Sequence, residues 1–123
     1  MTDNMVATDE TARLIASNKV EGTAVYNRNQ EKLGSIYNFM VDKESGQVEY
    51  AVLTFGGLFG LGGDYYPLPW DVLSYDTSQG GYVVDLDKET LEKAPRYSGS
   101  DMPRFDSDYG REVYDYYGVN YRY

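Results

Sequence analysis

From Val20 onward, apolar residues fall in short runs of strand length, divided by polar or glycine-bearing turns. VEGTAVYN (20–27) is followed by the turn RNQEK, and LGSIYNFMVD (33–42) by KESG, where Gly46 suits a turn position with positive φ. QVEYAVLTF (47–55) is the clearest strand. Val48, Tyr50, Val52 and Thr54 alternate with Glu49, Ala51, Leu53 and Phe55, so both faces carry apolar groups. That pattern predicts a central strand covered on each side. DYYPLPW (64–70) restarts an extended segment, but Pro67 and Pro69 cannot donate ladder hydrogen bonds, which predicts an edge strand or one that leaves the sheet at Trp70. DVLSYD, the turn TSQGG and YVVDL follow. Short strands at this spacing predict a mainly β domain, a small barrel or sandwich.

Helical signals are few. Residues 1–7 read as disordered, and Thr8 is placed as the N-cap of a short helix through about Ser17, with Leu14 and Ile15 as its buried contacts. Asp87 caps KETLEKA, which Pro95 ends. Near the C-terminus, SDYGREVYDYYG predicts a third helix, with Ser107 as N-cap, Asp108 in the first turn and Gly118 at C′.

The order LIASNKVEGTAVYN, LGSIYNFMVD, the Gly46 turn, QVEYAVLTFGG, YYPLPWDVL and YVVDLDKETLEKAP resembles the PRC-barrel domain. That module is shared by the photosynthetic reaction-centre H subunit and the C-terminal part of the ribosome-maturation factor RimM. The resemblance implies a small, strongly bent β-barrel that serves protein interaction or assembly. It divides the chain into an N-terminal segment (1–13), the barrel (14–96) and a tail (97–123).

Composition removes most chemistry. The 123 residues include no Cys and no His, so thiol, disulfide, Cys/His zinc and imidazole general-base mechanisms are closed. A net charge of −9 argues against nucleic acid and anionic lipid as partners. The start MTDNMVATDE has no apolar core of a signal peptide, and no membrane anchor is read, which places the chain in the cytoplasm. The stretch FGGLFGLGGDYYPLPW (55–70) has no Gly-Lys-Ser/Thr for a phosphate loop, and Tyr65 stands where a dinucleotide fingerprint needs its third glycine. DKESGQVE departs from the EF-hand spacing, with Gly46 fifth from Asp42, and Asp85 with Asp87, which share a strand face where a cation could bind weakly, read as a solvated edge and a cap. No catalytic residue, cofactor or metal is assigned.

The tail differs from the rest. It holds seven of the fourteen tyrosines, and its basic residues are all arginine. Tyr109, Val113, Tyr116 and Tyr117 fall near one helical face, flanked by Arg111 and Tyr114. Tyr and Arg are enriched at interface cores where Lys is depleted. These six residues are therefore the expected interaction surface, packed on a second copy, on the chain's own barrel or on another protein. A homo-oligomer, most simply a dimer, is the leading expectation. Leu58, Phe59 and Leu61 in the glycine loop form a secondary patch. An apolar ligand bound inside the barrel is the alternative.

Overall fold

The computed structural model describes residues 14–55 and 63–123. Its strands are β1 (Ala24–Asn27), β2 (Lys32–Val41), β3 (Val48–Phe55), β4 (Asp64–Pro69), β5 (Ser74–Asp76), β6 (Gly81–Val84) and β7 (Tyr97–Ser98). Its helices are α1 (Ser17–Val20), α2 (Lys88–Glu92) and α3 (Ser107–Tyr116). The strands form one sheet in the order β5-β6-β1-β2-β3-β4-β7, antiparallel throughout except where β1 meets β6. The mainly β prediction holds, and among the described residues the sheet is not closed into a barrel. Among the described residues β5 and β7 remain separate edges, three and two residues long.

The expectation of a central strand covered on both sides is met by β3. Leu53 sits opposite Ile36, and Ala51 opposite both Phe39 and Leu68, on the face that builds the main core with Val25, Leu33, Val84 and Leu91. Tyr50 lies on the other face, in a second, smaller core with Val113 and Tyr114 of α3. One sheet thus separates two cores.

Turn chemistry sets the register. Asn27 is buried, and its Oδ1 accepts from the amides of Asn29 (2.9 Å) and Glu31 (3.0 Å), tying β1 to β2. Gly46 and Gly80 occupy positive φ at 77° and 65° in the turns after β2 and β5. The two prolines of β4 lie beyond the short reach of β7, which pairs only with Asp64 and Tyr65. The chain then leaves the sheet at Trp70 in a 3-10 turn through Val72, so only the end of DVLSYD is strand, and β6 stops at Val84 instead of Leu86.

The N-terminal helix is misplaced by the sequence reading. Leu14–Ala16 is not helical, Leu14 is 57% exposed, and only the turn Ser17–Val20 winds, where Val20 reaches the core. Ile15 makes a bridge instead and packs half-buried on the main core, so the local helix signal yields to sheet pairing. Residues 8–13 of that expected helix lie outside the described residues.

Candidate functional site

The sequence placed the functional surface on the tail, and local rules explain why α3 forms there. Asp106, not Ser107, is the N-cap: its carboxylate accepts from the Tyr109 amide at 3.0 Å. Both residues have cap chemistry, and the backbone settles on Asp106 because that residue is the extended one. At the other end Gly118 adopts φ 71°, its amide donating to the Asp115 carbonyl (3.1 Å) while the Val119 amide donates to that of Tyr114 (2.9 Å). This is the Schellman arrangement, and Val119 joins Tyr114 in the small core as the motif's usual hydrophobic contact.

Spacing brings Tyr109, Val113, Tyr114 and Tyr117 toward the sheet. Val113 and Tyr114 are fully buried, each worth about 1.5–3 kcal/mol of hydrophobic stabilisation. The Tyr114 hydroxyl donates to the Glu49 carbonyl at 2.6 Å, and its ring meets that of Tyr50 edge-on at 5.7 Å. Tyr109 and Tyr117 are partly buried against the same cluster. Burial raises the Tyr109 hydroxyl to about 12, and raises those of Tyr50, Tyr114 and Tyr117 further. Arg111 and Tyr116 face outward. Arg111 pairs with Asp108 at 3.1 Å, and Tyr116, 39% exposed, donates its hydroxyl to the Thr90 carbonyl of α2 at 2.5 Å. The six tail residues are thus divided, four against the chain's own sheet and two outside. Leu58, Phe59 and Leu61 lie outside the described residues.

The final residues are tied down as well. Arg122 donates to Asp71 at 2.7 Å, and Tyr121 and Tyr123 stand against Tyr114 at 5.1 and 6.1 Å. Gly110, mid-helix, makes room for this: a Cβ there would fall 2.3 Å from the Tyr121 ring.

Tyr37 was missed by the sequence reading. A bulge between Ile36 and Asn38 turns it outward, 51% exposed, against Tyr65 at 4.7 Å. From there rings continue through Tyr97, Phe105, Tyr50, Tyr114 and Tyr121 with neighbouring centroids no more than 6.0 Å apart. Tyr65 and Tyr97 are stacked and the other pairs are tilted or edge-on, the geometries that aromatic pairs favour. The available sequence signal was weak, since a bulge shows only as a break in strict alternation.

The model of the PRC-barrel domain matches residues 13–91. The chain belongs to the PRC-barrel family. Its PRC-barrel region therefore spans β1 to β6 and most of α2, and α3 with the rest of the tail lies beyond it. Among solved structures, a 16S ribosomal RNA processing protein RimM from Pseudomonas aeruginosa is similar at 20% identity and a TM-score of 0.40, covering 68% of this chain. The chain spans half the length of that neighbour. No curated protein matches it.

Within this PRC-barrel chain the surface clefts are polar. One of about 520 Å³ is lined by Asp64, Arg96, Tyr97, Ser98, Asp101 and Tyr109, with Arg96 paired to Asp64 at 3.0 Å. Another, about 340 Å³, holds Asn27, Arg28, Asp85 and Asp87. There Arg28 meets Asp85 at 3.3 Å, while Asp87 accepts from the Thr90 amide at 2.7 Å as the predicted cap of α2. That backbone hydrogen bond holds the Asp87 carboxyl below its ordinary value. Burial, then the charge of Asp42, pushes the Glu49 carboxyl up. Among the described residues no three or more acids group as a metal site, and no helix is long and apolar enough to cross a membrane.

Proposed function

We propose that this PRC-barrel protein is a non-catalytic interaction and assembly module that self-associates as a dimer. One observation carries the reading: the tail is an ordered aromatic unit seated on the sheet, with Arg111 and Tyr116 outward and its row of rings running on to the half-exposed Tyr37. Tyr and Arg are the side chains that most often carry interface energy, and here packing beneath them limits the entropy lost on contact. Tyr109, Val113, Tyr114 and Tyr117 are the support, and Leu58, Phe59 and Leu61 are kept as a secondary contact. The competing reading, an apolar ligand inside the curve of the sheet, has less support, because twelve side chains from Val20 to Ala94 fill that space.

Molecular mass by light scattering over a concentration series tests it. A dimer is expected, with Tyr37→Ser or Tyr116→Ser weakening it about tenfold, the loss of about 1.4 kcal/mol of contact. A monomer mass at every concentration rejects self-association.

A further inference from the structure

We infer that the tail is an exchangeable element: residues 105–123 of one copy dock on the outer face of β3 and β4 in a second copy, and reciprocally. This rests on the self-association proposed above and names its mode. The sheet supplies the small core with one buried ring, Tyr50, and the half-buried Met40, while Phe105, Tyr109, Val113, Tyr114, Tyr117, Val119, Tyr121 and Tyr123 all come from the tail. Most of that core therefore travels with the segment that carries it.

Among the described residues, polar ties from the unit to the remainder of the chain include Tyr114 to the Glu49 carbonyl, Tyr116 to the Thr90 carbonyl and Arg122 to Asp71. None depends on which copy supplies the tail. The connecting residues 99–104 include Gly99 and no helix or strand, and they reach about 20 Å when extended. Their backbone tie is local, the Asp101 amide to the Ser98 carbonyl at 3.1 Å, so a hinge here breaks nothing in either core. Docking also buries the Tyr50 and Tyr109 hydroxyls without a partner among the described residues, which weakens the closed form against an open one. A segment held this way, making the same contacts in either copy, exchanges at low cost.

The chain contains no cysteine, which makes the exchange directly readable. Asp71→Cys in one full-length chain and Arg122→Cys in another, distinguished by mass, are mixed and treated with a short bismaleimide. Both positions are exposed, and an exposed ion pair is worth little, so each variant keeps the fold. Exchange predicts a heteromeric cross-link at twice the chain mass, severalfold above what either variant gives alone. The double variant Asp71→Cys/Arg122→Cys checks that the contact exists. If it links only within one chain while the mixture gives background, exchange is overturned. It is equally overturned if the double variant links neither within nor between chains. Light scattering separates the two proposals: a dimer without the heteromeric link retains self-association and rejects exchange, and a monomer rejects both.

Discussion

Two tyrosines of the small core lie 5.7 Å apart and predict opposite outcomes on loss of a hydroxyl. Tyr114→Phe removes the donor to the Glu49 carbonyl and should cost about 1–2 kcal/mol. Tyr50→Phe removes a buried hydroxyl with no partner among the described residues, and should be neutral or stabilising by up to about 1 kcal/mol. Denaturant unfolding of the pair checks the contrast; equal destabilisation by both would show that ring packing alone matters. At Gly81 a Cβ would fall 2.6 Å from the Ala24 carbonyl oxygen, which is backbone and cannot swing away. Gly81→Ala should therefore cost about 1–3 kcal/mol, read as a shift of the denaturation midpoint. At this scale, caps and turn glycines were legible because their chemistry is local: Asp87, Gly46 and Gly118 act where they were placed. Gly110 was not legible, because its reason is the Tyr121 ring arriving from beyond the helix.

Among the elements, β3 was the most legible, since its two apolar faces could be satisfied only by a layer on each side. The periodicity could not say what the outer layer was. α3 fills it, held between the Asp106 cap and the Gly118 turn. Asp106→Ala should loosen the first turn and cost about 1 kcal/mol, whereas Ser107→Ala should be close to neutral, both measured by thermal unfolding. Reversed effects would return the cap to Ser107. The N-terminal turn went the other way. Its Thr-Asp-Glu start resembles a helix opening, yet Ile15 forms a bridge and packs on the main core, which the local helix signal does not anticipate.

The whole molecule is defined by buried tyrosine, and its response to alkali follows. Unfolded tyrosines ionise near about 10. Burial lifts Tyr109 to about 12 and lifts Tyr50, Tyr114 and Tyr117 beyond it, so between those values the folded chain keeps protons that the unfolded chain has lost. Stability is then complete below about pH 10 and is lost as pH rises through the folded values. Tyrosinate absorbance should reach its full value only as the circular dichroism signal is lost; full tyrosinate absorbance on a still-folded chain would mean that these four rings are open to solvent. In acid the sign reverses for Asp42, Asp76 and Asp87, whose hydrogen bonds hold them below the ordinary aspartate value of about 3.9, so their contribution is present above that value and fades below it. What residue order alone determined was the short strands from β1 to β6, the turn glycines, two of the helices and the family, because strand alternation, caps and turns act over a few neighbouring residues; β7 was not among them. Only the tertiary structure decided that the sheet is not closed among the described residues, that Tyr37 turns outward at a bulge, and that the tail covers the outer face of β3. Each of those depends on which distant surfaces meet, and burial there is set by shape and hydrogen-bond partners that lie far apart along the chain.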